Sequence, residues 1–139
     1  MTKTELMPKV RAAIDRRTEE IMGVGEAIRR HPELGFKAYK TARLVAQTFE
    51  KMGLAPRTGL ALTGVRADAP GRRGEGPTLA LLGELDGLVV VGHPGTDPET
   101  GAAHACGHNA QVAAMLGAAM GLLDASITSR SGRPSWRPR

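Results

Sequence analysis

Ala103-His104-Ala105-Cys106-Gly107-His108-Asn109 is the stretch on which the reading of this chain turns. Three side chains able to ligate a metal stand within five residues. Directly after them Val112, Met115, Leu116, Met120 and Leu123 recur among Ala and Gly, which predicts a helix from about 109 to 124. So many small residues predict close packing of that helix against a sheet. Before the stretch, residues 84–107 carry acids, His and Gly without periodicity, and a long loop between buried elements is usually functional. Thiolate and imidazole donors suit zinc, cobalt or manganese-type divalent ions.

Upstream, Thr78-Leu79-Ala80-Leu81-Leu82-Gly83 is a continuous apolar run, as expected of a strand buried on both faces. Glu84-Leu85-Asp86 follows it, and strand alternation turns both acids to one side. Carboxylates at the end of a buried strand, facing a Cys/His loop, form a candidate open metal site. The same residues have ordinary readings. A lone Cys is most often a small buried hydrophobe. A lone His is more often structural than ligating, and acids after a strand serve as turn or cap residues. His-x-Cys-x-His is not a standard structural zinc spacing, and no second ligand pair follows.

Further out, Leu6, Val10, Ile14, Ile21 and Ile28 predict one helix over 4–30, with its regular part starting near Pro8 and its end at His31-Pro32. Thr41, Leu44, Val45, Phe49 and Met52 predict a second helix over 38–53, with Gly53 as its C-cap. Residues 60–68 read as a strand, and 69–77, dense in Gly and Pro, as a turn that joins it to 78–83 as a hairpin. After Asp124 the pattern collapses into Ser, Arg, Pro and Gly. No internal repeat is present.

The whole is 139 residues, one domain at most, with a net charge of +5 and a single Cys, so no intrachain disulfide forms. No apolar run approaches the roughly 20 residues that span a bilayer. The first residues carry an acid and no apolar core of a leader, so the expectation is a cytoplasmic, soluble protein with no membrane partner. The positive charge suggests nucleic acid, but its distribution argues against that. Residues 126–139 hold Arg130, Arg133, Arg137 and Arg139 and no acid, whereas 1–125 hold fifteen basic and fourteen acidic side chains. Aromatic residues, the stacking platforms of single-strand binders, are 3% of the chain.

Four stretches, in order, resemble the N-terminal part of the amidohydrolase branch of peptidase family M-twenty, which contains N-acyl-amino-acid amidohydrolases and aminobenzoyl-glutamate hydrolases. Arg30-His31-Pro32-Glu33-Leu34-Gly35-Phe36, with Thr41 after it, is similar to a helix-ending segment of that branch. Gly83-Glu84-Leu85-Asp86-Gly87-Leu88 is similar to its strand end, Thr100 to Asn109 to its metal loop, and Leu116-Gly117-Ala118-Ala119 to the helix that follows. The resemblance covers about residues 10–125.

It implies an α/β fold: part of a zinc-exopeptidase-like catalytic domain over 1–125, followed by a disordered basic tail over 126–139. It implies two divalent metals (Mn, Zn or Co) in one open site of an intact relative, with Cys106 the thiolate ligand and His108 the imidazole ligand. Asp86 matches the acid that orients the site from behind. Glu84 matches another polar position whose role is open, and His104 a loop position not assigned as a ligand. Asn109 and Gln111 depart from the Asp and His of many relatives. The Asn version resembles the aminobenzoyl-glutamate-hydrolase side of the branch, and Asn109 also has a simple reading as an N-cap.

The family reaction is amide hydrolysis of N-acyl amino acids or related amides: metals polarise the carbonyl, and a glutamate acts as base on the attacking water. Intact relatives are homodimers. The general base and further ligands of the family lie beyond the helix at 109–124, so the expectation is an inactive chain on its own. The tail has two readings. The break interrupts a fold element, which favours a broken reading frame over a basic anion-binding tail. Two alternatives to an enzyme stand beside this: a non-catalytic truncated remnant, and a low-affinity metal-binding fragment. An apolar strand without neighbours also predicts poor solubility.

Overall fold

The computed structural model describes residues 2–71 and 76–127. Helix α1 spans Lys3–Arg16 and α2 Thr18–Arg30. The expected single helix is therefore two, hinged at Arg17. Its Nε and Nη2 donate to the two carboxylate oxygens of Asp124 at 2.9 and 3.2 Å, and Nη1 donates to Glu20 at 2.8 Å. These bonds hold the Arg17 guanidinium well above its usual pKa, the bond to Asp124 being the largest cause. Periodicity along 4–30 carries no sign of this ion pair to a residue 107 positions away.

The start also differs from expectation. Thr2 caps α1: its hydroxyl accepts from Glu5 N at 3.4 Å, and its own N–H donates to the Glu5 carboxylate at 2.8 Å. This capping box starts the helix ahead of Pro8, which is carried inside it.

Helix α3 spans Tyr39–Lys51. Gly53 follows its last turn with φ +78°, where Gly53 N donates to Glu50 O and Leu54 N to Phe49 O. That left-handed position suits glycine, as the sequence predicts. The expected strand over 60–68 is instead the end of one strand, a turn and a second strand, part of a hairpin over 57–66. Strands β1 (Arg57–Leu60) and β2 (Gly64–Arg66) pair antiparallel around a turn in which Ala61 and Leu62 have positive φ. Ala and Leu give no turn signature, so the alternation read as continuous.

The run 78–83 is not a buried strand, and it forms no hairpin with the segment before it. It has no regular secondary structure and pairs with no strand among the described residues, with Leu79 87% and Leu82 84% exposed. A buried strand needs ladders on its flanks, and among the described residues none is offered to it. Only its end is covered: a Cβ on Gly83 would lie 3.2 Å from Val112 Cα.

Strands β3 (Leu88–Val89) and β4 (Ala102–Ala103) pair antiparallel inside the long loop, and Leu34 bridges Gly87 in parallel. Helix α4 spans His108–Asp124 and packs on α1 and α2. Small residues permit the close approach: a Cβ at Gly25 would sit 3.2 Å from Ala113 Cβ. Ile28, Val45, Phe49, Met52, Leu54, Val112, Leu116, Met120 and Leu123 form the core. Ser126 and Ile127 close the last turn of α4 through bonds to Leu123 O and Leu122 O. The rest of the expected tail, 128–139, lies outside the described residues. Among the described residues no helix is long and apolar enough to cross a membrane.

Candidate functional site

Gly107 sets the start of α4 with φ +82°, a left-handed position that favours glycine, and its carbonyl accepts from Ala110 N and Gln111 N. Gly107 is thus the N-cap, and the expectation for Asn109 is corrected: its Nδ2 donates to Gly25 O at 3.3 Å, so it ties α4 to α2.

His108, the first residue of α4, has its side chain 13% exposed. Its Nδ1 lies 2.9 Å from the Asp86 carbonyl oxygen and 3.0 Å from Asp86 Oδ1. Both are acceptors, so Nδ1 carries the hydrogen and donates. Nε2 lies 3.1 Å from Glu84 Oε2. The two acids thus meet one imidazole, one at each ring nitrogen, from a segment that is not a strand. Asp86 is the more enclosed, with its side chain 33% exposed against 64% for Glu84.

Gln111, one turn along from His108, holds Glu84 in place. Its Oε1 accepts from Glu84 N at 2.7 Å, and its Nε2 approaches Glu84 Oε2 at 3.5 Å. In the sequence Gln111 is only a departure from a family pattern. The signal that could have found it is its i+3 relation to His108, which puts both on one helical face.

His104 follows β4 and buries both ring nitrogens without a hydrogen-bond partner among the described residues. Burial pushes its imidazole below the usual range, helped by His108 and opposed by Asp86 and Glu33. Cys106 is a free, exposed thiol.

The donors fit a borderline divalent ion in kind: a thiol, an imidazole and carboxylates. They fall short in number. Among the described residues no group of three His, Cys, Asp or Glu side chains is placed to hold a metal ion. Asp86 and His108 are brought together as the sequence implied, and Cys106 does not join them in such a group.

No protein-family model matches the chain. No solved structure matches it. Curated proteins do. The chain is 32% identical over 118 residues to the N-acetyl-L-cysteine deacetylase of Bacillus subtilis, covering 83% of this chain and 28% of that protein. It is 35% identical over 121 residues to thermostable carboxypeptidase 1 of Saccharolobus solfataricus, covering 83% and 30%. It is 37% identical over 99 residues to the IAA-amino acid hydrolase ILR1-like 6 of Arabidopsis thaliana, covering 69% and 21%. The chain thus spans less than a third of the length of these relatives. Over most of its own length it is homologous to amidohydrolases of the M-twenty type.

Proposed function

We propose that the chain carries the N-terminal share of a metal-dependent amidohydrolase acting on N-acyl amino acids or related amides, within a zinc-exopeptidase-like catalytic domain. One observation carries the reading: His108, at the start of α4, is gripped at Nδ1 by Asp86, which leaves Nε2 facing the exposed carboxylate of Glu84. An imidazole that donates its other nitrogen to a carboxylate is the arrangement that orients a metal-binding histidine. Cys106 and His108 would hold the divalent ion (Mn, Zn or Co), and Asp86 would fix the ring. The printed names of the relatives, a deacetylase, a carboxypeptidase and an amino-acid-conjugate hydrolase, support amide-type substrates for the family.

Cobalt(II) titrated into the full chain tests the ligands. A thiolate-to-cobalt absorption band is expected for the native chain, lost in Cys106→Ser, and a weaker visible band in His108→Ala. No thiolate band in the native chain sinks the assignment. A second reading, a metal-binding fragment without turnover, is favoured by the lack of a three-ligand group among the described residues. Hydrolysis of an N-acetyl amino acid in the presence of Mn or Zn separates the two. Turnover above a metal-only blank supports the amidohydrolase, and cobalt binding without turnover supports the fragment.

A further inference from the structure

The segment His31-Pro32-Glu33-Leu34-Gly35-Phe36 does more than end a helix. Helix α3 has Ala38 at its N-cap and no side-chain cap of its own. The orphan N–H groups at its start are met from upstream: one Glu33 carboxylate oxygen accepts from Lys40 N at 3.0 Å, and the other from Thr41 N at 2.8 Å and Thr41 Oγ1 at 3.0 Å. Thr41 is 3% exposed, and its two bonds to Glu33 are partly buried, while the Lys40 bond is exposed. The same residue has a second grip. The Glu33 carbonyl accepts from Gly87 N at 2.7 Å, and Leu34 bridges Gly87.

Gly87 has no room for a side chain. A Cβ there would meet Ala103 O at 2.9 Å and Pro32 Cβ at 3.3 Å. It is also the residue after Asp86, whose carbonyl and carboxylate both take the His108 Nδ1 hydrogen. A Cβ at Gly35 would stand 3.5 Å from Asp86 Oδ2, so the same segment walls the far side of that carboxylate. The path from α3 to the imidazole is continuous: α3 N-terminus, Glu33 carboxylate, Glu33 carbonyl, Gly87, Asp86, His108.

We propose that Glu33 is a positioning residue of the candidate site, tying the N-terminus of α3 to the Asp86–Gly87 segment and thereby fixing the His108 ring with its hydrogen on Nδ1. The proposal rests on the preceding section only in treating His108 as a ligand; the coupling itself stands on the bonds just given. The bonds of Glu33 run to Lys40, Thr41 and Gly87 and not to His108 or Cys106, so it acts on the imidazole only through the segment it holds.

The experiment uses the full chain labelled with nitrogen-15. Ring nitrogen shifts of His108 report which nitrogen carries the hydrogen, and amide exchange reports the Gly87 N–H. In Glu33→Ala the Gly87 amide is expected to exchange about tenfold faster or more, as loss of charge-assisted bonds implies. The His108 ring is expected to lose its fixed Nδ1–H signature. Val45→Ala, a core truncation in the same helix at a residue 1% exposed, is expected to lower the melting temperature and leave both readouts as they are.

A folded Glu33→Ala chain with native Gly87 exchange and a native His108 signature overturns the proposal. So does the same change of both readouts in Val45→Ala. Should Glu33→Ala fail to fold, Thr41→Val removes one of the three bonds and keeps the shape. Faster Gly87 exchange in that variant supports the coupling, and unchanged exchange overturns it. Cobalt binding is read separately: a native chain without a cobalt band, but with the Glu33 effect intact, sinks the ligand reading and leaves the positioning role standing.

Discussion

Gln111 shows how much a single side chain can organise here. Its amide reaches from α4 to the segment before Asp86 and takes the Glu84 N–H at 2.7 Å. Without it, Glu84 N faces water and the carboxylate is free to leave His108 Nε2. Gln111→Ala is therefore expected to cost about 0.5–1 kcal/mol, the net worth of one exposed hydrogen bond. It is also expected to speed exchange of the Glu84 amide while leaving the Gly87 amide unchanged, since Gly87 is held by Glu33 and not by α4. Hydrogen exchange on the variant checks both. At this scale the sequence is informative about which residue types gather, and silent about direction. His108 was legible because a helix start is local, whereas Glu84 and Asp86 meet it from a segment that is not the strand end the alternation predicts. His104 was not legible, because its buried nitrogens, partnerless among the described residues, depend on what covers the loop.

Among elements, α4 is apolar on nearly every side, so its neighbours are chosen by shape more than by pattern. Two glycines make the point. A Cβ at Gly117 would meet Ile21 Cδ1, the tip of a flexible side chain, at 2.9 Å. A Cβ at Gly121 would meet Ile14 Cγ1, nearer that residue's backbone, at 2.7 Å, with Val10 Cγ1 at 3.2 Å behind it. Gly117→Ala is thus expected to be near neutral, the gain in helix propensity offsetting a small shift of Ile21. Gly121→Val is expected to lose about 2–3 kcal/mol through overpacking. Thermal or urea unfolding distinguishes them. The same reasoning explains which elements the sequence exposed. Helices α3 and α4 follow amphipathic spacing or small-residue content, and their ends carry Gly53 and Gly107. The break at Arg17 carries a distant ion pair, and the turn at Ala61-Leu62 has positive φ at residues with no turn preference. Neither leaves a mark on local spacing.

For the whole molecule, the deciding feature is the apolar surface that has no cover. Leu79, Leu82 and Val91 are 87%, 84% and 96% exposed, and Leu62 at the hairpin turn is 64% exposed. The run that reads as a buried strand keeps its composition and finds no ladder among the described residues. An apolar, exposed segment with no strand partner among the described residues is a site for association between chains. Self-association of the purified chain is therefore expected to rise with concentration, and to do so through 78–83. Leu79→Asp combined with Leu82→Asp places two like charges on that run at sites that make no core contact. The double variant is expected to scatter light as a smaller species at the same concentration, with stability changed by no more than about 0.5 kcal/mol per site. If association persists unchanged in that variant, the run is not the source. If the variant unfolds, the run is part of a core that its exposure conceals. Only a drop in association at constant stability fits an apolar segment whose partners lie outside its own fold.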